Sequence, residues 1–144
     1  MLLLLMSLGA KSQEQSTPPE STLRQYVVEM QFRGRQMTMI CLINTDAEGS
    51  VLGTMMSEMG VKVFDFTYVG GRAKILNVVG PLNRWYIRRV LRKDFTFLLS
   101  SMSQHLHSAE KGKRRFVRQP DGQINLDNLQ FNIHYIFTQN QDVE

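Results

Sequence analysis

The stretch GVKVFDFTYVGGRAKILNVVGPLNRWYIRRVLRKDF, Gly60 to Phe95, changes its period halfway along. Before Gly80 the alternation is two. Phe64, Phe66 and Tyr68 share one face of a strand, while Val61, Val63, Asp65 and Thr67 share the other. Gly70-Gly71 offers the two positive-φ positions of a tight hairpin loop, so AKILNVV is expected to return antiparallel. Gly80-Pro81 breaks the sheet, and Pro81 suits the first turn of a helix. Beyond it the apolar residues Leu82, Tyr86 and Val90, and then Ile87, Leu91, Phe95 and Leu98, recur at helical spacing. Arg84, Arg88 and Arg92 form a second stripe, flanked by Arg89 and Lys93. The helix is therefore amphipathic, with one side for a sheet and one strongly cationic. Asp94 is a capping type of residue and predicts a bend, with a second helical piece from Phe95.

Upstream, YVVEMQF and RQMTMICLIN read as strands separated by Gly34, which is either a tight turn or a bulge in one long strand. NTDAEGS is a turn and VLGTMMSE the next strand. Four or five consecutive antiparallel strands thus precede the helix. Downstream, SAEKGKRR reads as a polar loop. RRFVRQ and INLDNLQFNIHYIF supply two or three late strands around a turn at Pro120-Asp121-Gly122. The fold class is α+β: a β-meander, a helical segment, then more strands.

The chain has 144 residues, enough for one domain with a modest core. Its 42% hydrophobic and 21% charged composition excludes the disordered and collagen-like classes. The net charge of +4 is unevenly spread. Leu82 to Arg118 holds ten Lys/Arg against Asp94 and Glu110, or +8, and the remainder is −4. Such asymmetry points to an anionic partner: lipid headgroups, nucleic acid or an acidic protein. A solvated helix face beside a basic loop is the plainer alternative.

At the amino end, the apolar run Leu2 to Leu8 is followed by small residues around Ser7–Ala10, as in a secretory signal. It is too short to span a bilayer. Residues 1–10 are expected to be a signal segment, 11–23 a disordered tether, and 24–144 a single domain. Cys41 lies far from the junction, so no lipid anchor is encoded there, and a lone cysteine forms no internal disulfide. The expected location is the periplasm.

The segments SEMGVKVFDFTY (Ser57–Tyr68) and VVGPLNRWYIRRVLRKDF (Val78–Phe95) resemble the lipoprotein-localisation carriers, the LolA/LolB-like half-barrel family, in particular LolB-like relatives found in Bacteroidetes. The resemblance covers about Met55 to Leu99. It implies a curved, open half-barrel with an inserted helical plug, and a concave apolar cavity that holds acyl chains under a helical lid. The groove residues under that reading are Met37, Met39, Phe64, Phe66, Tyr68 and Trp85. Independently, Met30, Met37, Met39, Met55, Met56 and Met59 are clustered, and flexible thioethers suit varied apolar ligands. The same stripes also fit an ordinary core.

Chemistry-bearing constellations are thin. His105 and His107 diverge on a helix, and only an extended segment would bring them together, with His134 as a third ligand. Cys41 sits in apolar MTMICLIN, the setting of an inert thiol. Glu58 and Asp65 form no acid/base pair, and the glycines lack phosphate-loop spacing. The expectation is a non-enzyme without cofactor or metal. For nucleic acid, Lys111, Lys113, Arg114, Arg115 and Arg118 surround Phe116. For an anionic membrane, the candidate surface is Arg84, Arg88, Arg89, Arg92, Lys93, Lys113, Arg114 and Arg115. The expected function is binding of a lipid or acylated protein at the envelope. The alternatives are a basic adaptor for nucleic acid or an acidic protein, and a structural domain of an envelope complex.

Overall fold

The computed structural model describes residues 21–140, so the predicted signal segment and nearly all of the tether lie outside the described residues. The first strand, β1 (Thr22–Phe32), begins two residues ahead of the expected start at Arg24. β2 (Arg35–Thr45), β3 (Val51–Ser57), β4 (Lys62–Val69) and β5 (Arg72–Leu76) complete an antiparallel meander of five strands. A 3₁₀ turn (Gly80–Leu82) leads into one helix, α1 (Trp85–Ser103). β6 (Ser108–Lys111), β7 (Arg114–Arg118), β8 (Ile124–Asn128) and β9 (Ile133–Gln139) follow. Because β9 pairs with β1, the nine strands of the described residues form one sheet in the order β5-β4-β3-β2-β1-β9-β8-β7-β6. The fold is α+β, and the sheet is not closed into a barrel.

Two turns explain the register of the first half. Arg33 and Gly34 have φ of 54° and 75°, so Gly34 belongs to a two-residue hairpin loop and not to a bulge. Gly70 and Gly71, with φ of 62° and 83°, form the loop expected between β4 and β5.

Three expectations are corrected. The polar segment SAEKGKRR is not a loop: it holds β6 and the start of β7, paired from Ser108↔Val117 to Lys111↔Arg114. None of the four β6 residues is buried, so an edge strand here requires no apolar alternation. The helix begins at Trp85, and Leu82 lies in the preceding 3₁₀ turn. Asp94 introduces no second helical piece. The helix runs through it because its side chain is fully buried against charged and polar partners from the sheet, which removes its tendency to cap.

One ring shows how strongly the sheet curls. Phe95 of α1 lies 5.5 Å from Phe64 and 4.9 Å from Phe66 on β4, and 6.2 Å from Tyr135 on β9. β4 and β9 are four strand steps apart, about 19 Å in a flat sheet. A single side chain touches both only if the sheet wraps around the helix. The period-two pattern then sends one residue set inward from nearly every strand: Tyr26 and Val28, Met39, Cys41 and Ile43, Met55, Phe64 and Phe66, Ala73, Phe116, Leu126, Tyr135 and Phe137. Leu91, Phe95, Leu98 and Leu99 of α1 fill the space between.

In the registered pair Gly53↔Phe66 the ring lies directly over the glycine. A Cβ on Gly53 would lie 2.1 Å from Cζ of Phe66, so the glycine is where it is because an aromatic ring covers its backbone.

Candidate functional site

The predicted groove residues are distributed over three settings. Phe64, Phe66, Tyr68 and Met39 are buried in the core, and the Phe95 ring of α1 packs directly on Phe64 and Phe66. Met37 is 45% exposed near the start of β2, and Trp85 is 67% exposed in the first helical turn. With the helix seated, these six residues line no common groove.

Besides its apolar packing, the helix has a polar tie to the sheet. The Asp94 carboxylate receives three donors: Arg114 Nε on Oδ1 at 2.8 Å, Asn128 Nδ2 on Oδ1 at 2.9 Å, and the Tyr135 hydroxyl on Oδ2 at 2.6 Å. These come from β7, β8 and β9, so one residue ties α1 to three consecutive strands of the sheet. Asn128 is itself fixed, because its Oδ1 accepts the backbone N–H groups of Gln130 and Phe131 in the β8–β9 turn. Burial raises the Asp94 carboxyl above its ordinary range, with Tyr135, Arg114 and Asn128 acting in the opposite direction. On the other flank the Thr96 hydroxyl accepts the backbone N–H of Ala73 at 3.0 Å, satisfying the edge strand β5. Alternation reveals none of this cluster. Its only signal in the sequence is the placing of Asp94 between apolar helix positions, where a charged residue needs a partner.

The predicted anionic surface divides. Arg84, Arg88 and Arg89 lie at the amino end of the helix, with Arg88 bonded to Asn83. Arg92, Lys93 and Arg114 line a cleft where the sheet fails to close. Lys113 is exposed on the β6–β7 hairpin, and Arg115 pairs with Asp127 on the sheet face away from the helix. Phe116 is fully buried, and Arg118 donates to the Leu106 carbonyl. The cations of KGKRRFVR therefore do not alternate with an exposed aromatic, as stacking on nucleic-acid bases requires.

Around the helix start, Val79, Leu82, Trp85 and Tyr86 are all exposed, and the Trp85 and Tyr86 rings meet edge to face at 5.8 Å. The Val79 N–H donates to the Val63 carbonyl, which brings the β3–β4 turn to the same end, with Met59 90% exposed. The first helical turn contains no acidic residue.

The ligand-type side chains stay apart. His134 lies between Asp127 Oδ1 and Asn132 Oδ1, each at 2.8 Å, while His105 follows the helix and His107 precedes β6. Among the described residues no group of three His, Cys, Asp or Glu is placed to hold a metal ion. Cys41 is fully buried, which pushes its thiol pKa far up. Asp65 accepts from Asn77, Lys62 and Thr54. Its partial burial raises the pKa, but those three donors outweigh it and hold the carboxyl below its ordinary value. Among the described residues no helix is long and apolar enough to cross a membrane.

Comparison with protein-family models, with curated proteins and with solved structures returns no match.

Proposed function

We propose that the protein is a non-catalytic lipid-binding protein of the cell envelope that works at an anionic membrane surface. The observation that carries this reading is the helix start, where exposed Val79, Leu82, Trp85 and Tyr86 stand beside Arg84, Arg88 and Arg89. A helix amino terminus already carries partial positive charge, so arginines without acids there are unfavourable for the isolated helix. Facing anionic headgroups, the same charges become favourable, and amphipathic aromatic rings settle at the bilayer interface. In this reading the curled sheet is an open half-barrel and α1 its plug. The buried row of Phe64, Phe66 and Tyr68 receives an acyl chain when the helix lifts. The resemblance of Ser57–Tyr68 and Val78–Phe95 to the lipoprotein-localisation carriers supports that assignment, and the Leu2–Leu8 run supports export to the periplasm.

Flotation with phosphatidylglycerol and phosphatidylcholine vesicles tests the surface. The protein should float with the anionic vesicles and detach at high salt. Each basic residue near such a surface contributes about 1 kcal/mol, so Arg84→Gln with Arg89→Gln should weaken binding roughly 30-fold. Trp85→Ser with Tyr86→Ser should weaken it at any salt concentration. Full binding by both variants would refute docking through the helix start. Chain uptake is read separately, as displacement of a bound apolar fluorescent probe by fatty acid. A parent protein that binds no probe in the presence of vesicles would leave the sheet face as core only.

A further inference from the structure

The two edges of the sheet, β5 and β6, do not meet, and the helix surface forms the floor between them. Over that floor lies a cleft of about 510 Å³, bounded by the β4–β5 turn on one side and the β6–β7 hairpin on the other. Arg72, Arg92, Lys93, Lys111 and Arg114 line it, and among the described residues no carboxylate does. Only Arg114 has an acidic partner, through Nε to Asp94. The side chains of the other four have no hydrogen-bond or ion-pair partner among the described residues.

Four uncompensated cations around one concavity repel each other, an arrangement that an anion relieves. The details favour a tetrahedral oxyanion over a lone carboxylate. The bond from Nε to Asp94 fixes the plane of the Arg114 guanidinium, and its terminal nitrogens have no acceptor among the described residues. Thr96 and Ser100 line the same floor. Their hydroxyl oxygens accept from Ala73 N–H and Gln104 Nε2, and their own protons have no acceptor among the described residues. Gly71 and Gly112 sit at the two rims, both with positive φ and no side chain to cover the backbone. A carboxylate would use few of these donors, whereas a phosphoryl group takes several at once. The volume also exceeds that of a bare phosphate and leaves room for the group that carries it.

We propose that this seam is a binding site for a phosphoryl group, presented either as a free phosphate compound or as a phospholipid headgroup. The site does not depend on the helix start, since Arg84, Arg88, Arg89, Trp85 and Tyr86 do not line it. Calorimetric titration of the full chain with pyrophosphate, and with dihexanoyl-phosphatidylglycerol below its micelle concentration, tests it. One equivalent should bind, more weakly as salt rises. Arg92→Gln with Lys111→Gln should weaken binding at least about tenfold, whereas Arg84→Gln with Arg89→Gln should leave it unchanged. Tighter binding of the lipid identifies a headgroup, and tighter binding of pyrophosphate a free anion. Arg72→Gln, at the exposed start of β5, provides the same readout should the paired variant unfold. Absence of saturable one-to-one binding by either probe overturns the proposal. So does an equal loss in the Arg84/Arg89 variant, which would mean a diffuse positive surface.

Discussion

Replacing Asp94 by alanine should lower the free energy of unfolding by about 3–5 kcal/mol, read from urea midpoints. The side chain is fully buried, and its removal strands the Arg114 Nε–H, the Asn128 amide and the Tyr135 hydroxyl together. A buried charge deprived of its partner costs far more than the pair contributes when intact. Adding Arg114→Met to Asp94→Ala should therefore recover part of the loss. The pH dependence has a definite sign. Burial raises the Asp94 carboxyl above its ordinary range despite Tyr135, Arg114 and Asn128, so the folded chain holds that proton more tightly than the unfolded one. The matching share of stability is fully present below the unfolded carboxylate range and is lost as pH rises through the raised value. Asp94→Asn, neutral at every pH, should flatten this part of the curve and cost less than alanine. An alanine variant within 1 kcal/mol of the parent would show that the helix is held by apolar packing alone.

Phe66→Ala should cost about 3–5 kcal/mol, the loss of a ring packed at full burial against Phe95. Gly53→Ala should cost about 1–3 kcal/mol for the opposite reason, because its new methyl group drives into that ring. The two effects are coupled. With Phe66 already reduced to alanine, the Gly53 methyl group meets open space, so the double variant should be more stable than the sum of the single losses indicates. Additive losses in a thermal or urea cycle would show that the ring moves aside freely. Such freedom would itself make the space between sheet and helix easier to open.

How much of this was legible follows from the range of each signal. The β4 face of Phe64, Phe66 and Tyr68, the Gly70-Gly71 loop and the Leu91, Phe95, Leu98 stripe are patterns within about ten residues, and the structure shows each as an element or turn. β6 was hidden because a four-residue edge strand whose one apolar residue is the small Ala109 carries no alternation to read. Asp94 read as a cap because its partners Arg114, Asn128 and Tyr135 lie 20, 34 and 41 residues away. The basic stripe was visible, but not its division. Arg92 and Lys93 became part of a cleft floor only once β5 and β6 were placed on either side of the helix.

The pairing of β1 with β9 has a consequence for how the chain is made. β1 lies at the centre of the sheet, yet its second partner spans residues 133–139. While the chain is being synthesised, the five amino-terminal strands emerge with β1 as a long unpaired edge, carrying Tyr26 and Val28 without the Phe137 that will face them. The contact that joins the two halves is among the most distant in sequence. Its loop-closure entropy is met late, and folding should be slow for the size of the chain. A nascent or truncated chain that ends before Ile133 would present that edge to its neighbours and should aggregate, although the complete sheet of the described residues ends in two short, charged strands.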